Sequence, residues 1–185
     1  MKLFTIGHSS HSIEKFGRLL EDNGIMTLVD VRTAPYSRYN PQFNKESLKN
    51  TLSNHNIEYA YAGKYWGGRP SDPTCYKSRV LPPEEADYLH EVDYPEVMKR
   101  PWFVRSIKRL LELANEQTTV IMCSEENPAE CHRHHLIARY FITEYPEVNI
   151  QHIRGNGIVY SARSILISVN KPSVEQLSFG DGFNP

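Results

Sequence analysis

The sequence predicts an α/β protein in which a parallel sheet of about five strands carries helices on both faces. Short apolar runs rich in β-branched residues alternate five times with segments whose apolar residues recur at helical spacing. The second run, residues 25–32, is apolar almost to its end, which is typical of a strand buried on both sides. The simplest topology is a three-layer, Rossmann-like sheet with strand order 3-2-1-4-5.

The individual elements follow from apolar spacing and from capping residues. The five strands are predicted at residues 3–6, 25–32, 57–62, 118–122 and 148–153. Helices are predicted to begin after Ser12, after Asn44, at Pro101 and at Pro128. The first of them ends at Asn23-Gly24, where glycine permits the turn.

Residues 70–101 interrupt this alternation after the third strand. They are rich in proline and charge, and we interpret them as an irregular insertion or lid with a short helix near residues 84–88. Residues 158–169 fit either another strand or a short helix covering a sheet edge. The predicted single domain covers residues 1–170, and residues 171–185 form a C-terminal tail.

Composition limits the classes of partner. The 185 residues include 21 basic and 22 acidic side chains, so the overall charge gives no attraction to a nucleic-acid duplex. No stretch approaches the roughly 20 apolar residues of a membrane span, and the apolar N-terminus is too short for a secretory signal. Three cysteines, an odd number, indicate reduced thiols. We expect a cytoplasmic protein without membrane partners, whose oligomeric state the sequence leaves open.

The polar residues that follow the strands should gather at one edge of the sheet. In the predicted order the first and fourth strands are neighbours, which places His8 beside Cys123 at the edge where ligands bind in such sheets. Arginine matches phosphate and carboxylate oxygens, and paired glycines allow close backbone approach to a ligand or another segment. The candidate catalytic residues are Cys123, Glu125, His132, His8 and Asp30. The candidate substrate-binding residues are Arg32, Arg38, Gly67, Gly68, Arg69, Arg133 and His152.

Residues 120–135 run from a buried strand through a thiol and two acids into a helix. Asn127 and Glu130 have the spacing of a capping box, which predicts a helix from residue 128 onwards. Cys123 at the strand end is then either a small buried residue or a thiolate stabilised by the helix N-terminus. Cys131 is assigned to the helix core, with a resolving thiol or metal ligand as the alternative. His134 is expected to face solvent.

A zinc site is the weaker alternative at this place. Cys131 and His135 share a helix face, and Cys123 and His8 would complete a tetrahedral ligand set. The spacing lacks a CxxC or HExxH signature. The sequence therefore predicts no metal and no cofactor.

Five ordered motifs resemble the domain of unknown function 488 family. They are TIGHS at 5–9, VDVR at 29–32, NPQFN at 40–44, GGR at 67–69 and the run 123–133. Trp66 and Ser124 depart from the family pattern, in which Leu and Ala are common. The resemblance, over about residues 3–153, implies a compact α/β fold with the same polar rim, and it carries over no established activity. VDVR is also similar to rhodanese domains, but Arg133 lies ten residues after Cys123 without a glycine-rich loop, which makes rhodanese chemistry a poor match.

These residues favour an enzyme that acts on a small anionic or nucleotide-like substrate, with the reaction class left open. Arg32, Arg69 and Arg133 would hold the anion, His8 or His132 would move a proton, and Cys123 or Glu125 would be nucleophile or base. The alternative is a non-catalytic module for nucleic acid or nucleotides. It would use the arginines and aromatic rings of residues 32–44, namely Arg38, Tyr36 and Tyr39, together with Trp66 and Arg69.

Overall fold

The computed structural model describes residues 1–169 and contains one six-stranded sheet of order β3-β2-β4-β1-β5-β6. All neighbouring strands are parallel except β6, which is antiparallel to β5. This confirms the predicted α/β class. The strands are β1 Lys2–Gly7, β2 Thr27–Asp30, β3 Glu58–Tyr61, β4 Thr119–Cys123, β5 Asn149–Ile153 and β6 Val159–Ser161.

The strand order differs from the prediction by one exchange. β4 lies between β2 and β1, with Thr119 paired to Thr27 on one side and to Leu3 on the other. β1 and β4 remain neighbours, as predicted, and β2 is now a direct neighbour of β4 as well. Apolar patterning shows that a strand is central but not which strands flank it, so the simplest order was wrong. The consequence is that Cys123 ends a strand flanked on both edges.

Helices cover both faces of this sheet. Successive strand residues point to opposite faces, and Leu3 packs in one apolar cluster while Phe4 packs in the other. Helix α6, Pro101–Glu116, contributes Phe103 and Ile107 to the cluster of Leu3. Helix α1, Ile13–Asp22, contributes Phe16 to the cluster of Phe4. Burying each such side chain contributes about 1.5–3 kcal/mol.

The helices and single turns occupy the connections. Ser12 caps α1 by accepting a hydrogen bond from the Lys15 N–H. The helices are α1 Ile13–Asp22, α2 Lys45–Asn54, α3 Gly63–Trp66, α4 Tyr88–Glu91, α5 Tyr94–Met98, α6 Pro101–Glu116, α7 Arg139–Glu144 and α8 Ala162–Val169. Three-residue 3₁₀ turns are found at Pro41–Phe43, Pro73–Cys75 and Pro128–Glu130.

The insertion and the C-terminal end match their predictions only in outline. Residues 70–100 are irregular around α4 and α5, and the short helix predicted near 84–88 begins instead at Tyr88, capped by Asp87. Residues 158–169 form both the strand β6 at the sheet edge and the helix α8. The predicted tail, 171–185, lies outside the described residues. Within those residues, no helix is long and apolar enough to cross a membrane.

The helix predicted from residue 128 is interrupted. The 3₁₀ turn Pro128–Glu130 ends at Cys131, whose backbone is extended at φ −140° and ψ 138°. A π-helical segment, Arg133–Ala138, then leads into α7. Asn127 accepts from the Ala129 N–H, but its amide meets the Glu130 side chain instead of completing a capping box. Cys131 is therefore outside the helix, and the two cysteines are not separated.

Candidate functional site

Four side chains that can bind a proton or a metal ion meet at the carboxyl end of β4. Cys123, Glu125, Cys131 and His132 each offer one ligand atom, and these atoms all lie within 4.8 Å of one another. Both thiols donate to the same carboxylate oxygen, Oε2 of Glu125, over 3.0 Å. The Nδ1 atom of His132 lies 3.6 Å from the Cys123 sulfur and 3.9 Å from the Cys131 sulfur. We call these four residues the thiol cluster.

The extended backbone of Cys131 is what closes the thiol cluster. Cys123 ends β4, and the following loop turns back through the 3₁₀ turn Pro128–Glu130. Had the helix begun at residue 128, Cys131 would lie within it and its sulfur would follow the helix surface. The break at Cys131 instead brings its thiol to the carboxylate that Cys123 contacts.

The neighbouring strand ends fix the loop after β4. The backbone N–H groups of His8 and Ser9 donate to the carbonyls of Cys123 and Ser124 over 2.9 and 2.8 Å. Gly7 lies against the same loop, because a Cβ atom there would be 1.7 Å from the carbonyl oxygen of Glu125. Only glycine leaves room for this contact.

The imidazole of His132 is held by two contacts on its other sides. Nε2 lies 3.3 Å from the carbonyl oxygen of Val31, which can only accept, so Nε2 carries a proton. In the neutral form of the ring, Nδ1 then presents a lone pair. Gly68 packs on the ring, since an added Cβ would lie 2.9 Å from Nδ1. The predicted close backbone approach at Gly67-Gly68 is therefore to protein groups, with Gly67 against Thr33.

The thiol cluster lines a cleft of ≈ 780 Å³. Residues of the 70–101 insertion, including Asp87, Tyr88 and Tyr94, form another part of its wall. The Tyr94 hydroxyl is buried and has no hydrogen-bond partner among the described residues. Arg69 stacks on Tyr88, with its guanidinium carbon 4.4 Å from the ring centre. Arg69 is exposed and lines the cleft, where an anionic group could reach it.

Asp30, Arg32 and His8 form a separate buried unit. The Arg32 guanidinium donates twice to the Asp30 carboxylate, over 2.9 and 2.7 Å, and once to the Phe43 carbonyl. Its Nη1 lies 3.2 Å from Nε2 of His8, while Nδ1 of His8 lies 2.8 Å from the Ser9 carbonyl. Four of the five guanidinium N–H groups are thereby directed to protein. Asp30 has no exposed surface.

Arg133 and His152 belong to a second buried network. Arg133 donates to the carbonyls of Glu125 and Glu126 and to the Thr5 hydroxyl. The same hydroxyl bonds Nδ1 of His152 over 2.7 Å, and Nε2 of His152 lies 3.0 Å from Nδ1 of His134. His134 is thus buried, and its predicted exposure to solvent was wrong because its ring has a partner in β5.

The four zinc ligands that the sequence suggested, Cys123, Cys131, His135 and His8, do not come together. His135 is directed to the Ala129 carbonyl over 2.6 Å, and both nitrogens of His8 face Ser9 and Arg32. Glu125 and His132 take their places beside the two cysteines. The sequence placed Cys131 in the site only as an alternative, and it gave no indication that Tyr94 lines the cleft.

Electrostatics differ among the members of the thiol cluster. Burial raises the pKa of Cys123, and the nearby Cys131 adds to this. Burial also acts on Cys131, but the neighbouring Cys123 thiol, the positive charge of Arg133 and the imidazole of His132 outweigh it and lower the pKa of Cys131. Desolvation beside the sulfurs and the charge of Cys131 raise the pKa of Glu125.

Among the buried histidines outside the thiol cluster, His8 and His152 are held neutral. Burial lowers the pKa of His8 to about 4, and Arg32 acts in the same direction. Burial and the neighbouring His134 lower the pKa of His152 to about 2. The other charged groups that act on these two rings are Asp30, His11, Arg133, Arg154 and Cys131.

These depressed pKa values predict a loss of stability in mild acid. In the unfolded chain both histidines take up protons as the pH falls through about 6.5, whereas the folded chain resists until about pH 4 or below. Lowering the pH from about 7 to 5 should cost roughly 1–2 kcal/mol of unfolding free energy per histidine. Urea unfolding at several pH values measures this. His152→Gln should flatten the profile, and the exposed His90→Gln should not; a flat wild-type profile would contradict the argument.

The model of the family described as domain of unknown function DUF488 matches residues 12–140, more than half of the chain. No curated protein and no solved structure matches the chain significantly.

Proposed function

We propose, on the premise that this chain belongs to the DUF488 family, that it is an enzyme acting on a small anionic substrate at the thiol cluster. The observation that carries the proposal is the convergence of two thiols, a carboxylate and an imidazole within 4.8 Å in the wall of one cleft. Burying such groups together is costly unless they are paired or used, and chemically reactive clusters in clefts are typical of active sites.

The cleft supports a small substrate. Its volume of ≈ 780 Å³ lies in the range of small-molecule sites, which is roughly 300–1,000 Å³. Arg69 is the arginine we assign to the anionic group, because it is exposed in the cleft wall and Tyr88 holds its guanidinium in place. Arg32 contacts the cleft too, but Asp30 and His8 occupy most of its donors.

The remaining candidate residues act by positioning. Arg133 fixes the carbonyls of the loop that bears Glu125, and the unit of Asp30, Arg32 and His8 fixes the neighbouring strand end. Glu125 is the exposed member of the thiol cluster and is the group we assign to proton transfer with the substrate. The cleft is large enough for a nucleotide-like substrate, and the phosphate of such a substrate would supply the anionic group for Arg69.

The test is turnover of a panel of nucleotides, phosphate monoesters and carboxylate esters, followed by mass spectrometry. Glu125→Gln should lower kcat/KM at least about 100-fold, as expected for the loss of a general acid or base. Arg69→Met should act mainly on KM. Glu116→Gln, an exposed acid at the end of α6, is the matched control. Turnover at the wild-type rate in both the Glu125→Gln and the Cys123→Ala variants would refute the proposal.

A second candidate function is binding of single-stranded nucleic acid without catalysis. Its supporting observation is the exposure of Tyr36 and Tyr39, whose side chains are 70% and 87% accessible, beside the exposed Arg38. Such rings can stack on bases. Trp66 cannot contribute, because it is buried and donates to the Ser106 hydroxyl. Fluorescence anisotropy with a labelled oligonucleotide at low salt tests it; binding that is unchanged in Tyr39→Ala or Arg38→Ala, or no binding at all, would dismiss it.

A further inference from the structure

We propose that the thiol cluster binds one Zn²⁺ ion through Cys123, Cys131 and His132, with Glu125 in a fourth, exchangeable position. The proposal deepens the proposed function and rests on it in one respect, namely that the same four residues form the working site. The four residues supply the ligand types that zinc prefers in proteins, namely sulfur, nitrogen and a carboxylate oxygen.

The spacing of the four atoms fits a tetrahedron around zinc. With bonds of about 2.3 Å to sulfur and 2.0–2.1 Å to nitrogen, sulfur and nitrogen ligands of one ion lie about 3.6 Å apart. The distances from Nδ1 of His132 to the sulfurs of Cys123 and Cys131 are 3.6 and 3.9 Å. The contacts of both sulfurs with Glu125 are 3.0 Å, so the carboxylate needs to move outward by only about half an ångström.

The orientation of His132 is that of a metal ligand. Its Nε2–H faces the carbonyl oxygen of Val31 at 3.3 Å, and Nδ1 is left as a lone pair beside the sulfurs. Histidines that bind metal ions almost always donate their other ring N–H to a carbonyl or carboxylate, which fixes the ring and its tautomer. Gly68 leaves space for the ring in this orientation, because an added Cβ would lie 2.9 Å from Nδ1 and 3.1 Å from Cγ.

The ion would have one side open to the cleft. Cys123, Cys131 and His132 are at most 8% exposed, whereas Glu125 is exposed. Three buried ligands and one position reachable from a cleft distinguish catalytic zinc sites from closed structural ones. The Tyr94 hydroxyl lines the same cleft, is buried and lacks a partner among the described residues, so it is available to a group bound there.

The choice of zinc over other partners follows from the same residues. Magnesium and calcium prefer oxygen ligands, and this set contains only one carboxylate. A redox-active pair of cysteines would explain the two neighbouring thiols. It would not explain why the imidazole of His132 and the carboxylate of Glu125 lie within 4.8 Å of them. Zinc accounts for all four ligands.

The experiment is metal analysis of the full-length protein purified without an affinity tag. We expect about one equivalent of zinc per chain by mass spectrometry, and after chelation one equivalent of added Co²⁺ should give the intense visible bands of tetrahedral, thiolate-bound cobalt. Cys75, the third buried cysteine, lies outside the thiol cluster. Cys75→Ala should therefore keep full zinc binding, and Cys131→Ala should lose at least about 100-fold in zinc affinity.

Two further variants test the assigned geometry. Gly68→Ala introduces a Cβ at 2.9 Å from Nδ1 of His132 and should weaken zinc binding at least tenfold while all four ligands remain. Glu125→Gln should weaken it less than Cys131→Ala does, because the carboxylate is the exchangeable ligand. Circular dichroism at each step establishes that the variants are folded, and zinc titrations are compared only among those that are.

The outcomes separate this inference from the proposed function. Reduced wild-type protein that binds no zinc or cobalt overturns the zinc site, as does equal affinity in folded Cys131→Ala and Cys75→Ala. A Cys123–Cys131 disulfide in the absence of metal binding would show a redox pair instead. Turnover without zinc would leave the proposed function in place. Zinc binding by the wild type, with turnover unchanged in both Glu125→Gln and Cys123→Ala, would refute only the proposed function.

Discussion

Replacing Arg133 by methionine is expected to lower the free energy of unfolding by about 3–5 kcal/mol. Arg133 is fully buried, and its donors satisfy the carbonyls of Glu125 and Glu126 and the Thr5 hydroxyl. Methionine fills much of the volume but donates nothing, so the two carbonyls and the Thr5 hydroxyl lose the donor that Arg133 supplies. Each buried acceptor left without one costs about 1–3 kcal/mol.

Urea unfolding of the variant measures this loss, and Arg139→Met is its control. Arg139 begins α7, six residues after Arg133, but its side chain is exposed. The control should change stability by less than about 0.5 kcal/mol. Equal effects of the two substitutions would show that the network around Arg133 does not hold the loop after β4.

Replacing Gly7 by alanine is the second substitution with a large expected effect. The new Cβ would lie 1.7 Å from the Glu125 carbonyl oxygen and 2.9 Å from the Glu126 Cα. Both are backbone atoms, so a rotamer change cannot relieve the overlap and the loop after β4 must move. We expect a loss of about 4 kcal/mol, at the upper end of single substitutions, together with loss of the thiol cluster geometry.

Gly17→Ala is the matched control. Gly17 lies inside α1, and a Cβ there would be 3.4 Å from the nearest atom, in the His55 ring. Alanine favours a helix over glycine by about 1 kcal/mol, so this variant should be as stable as wild type or more so. Thermal unfolding of both variants measures these changes in stability. A Gly7→Ala protein with wild-type stability would mean that the loop is free to shift.

The sequence allowed the strands and the shared edge of the sheet to be predicted, because buried parallel strands have a distinctive apolar pattern. The pairing of the strands with one another could not be predicted in this way. The side chains of β4 do not specify that β2 flanks it, since the hydrogen bonds between strands are made by the backbone. Long connections such as residues 62–118 leave several orders open, and packing of the finished sheet decides among them.

The sequence indicated where the candidate site residues would lie, but not every residue that lies there. Cys123, Glu125 and His132 meet as expected near the end of β4, whereas Cys131 was assigned to a helix that does not form there. A capping pattern indicates that a turn starts, not how long the helix lasts. Candidate residues such as Arg133 and Asp30 were selected by type, and only the structure shows that their partners are protein groups.

The central position of β4 in the sheet determines the denaturing conditions under which the thiol cluster keeps its geometry. Its two edges are hydrogen-bonded to β1 and β2, whereas β6 lies at the margin of the sheet. Margins fray at low cost, but an interior strand opens only when the whole domain does. Amide exchange in β4 should consequently be limited by global unfolding, and ligand binding in the cleft should persist up to the denaturant concentration at which the domain itself unfolds.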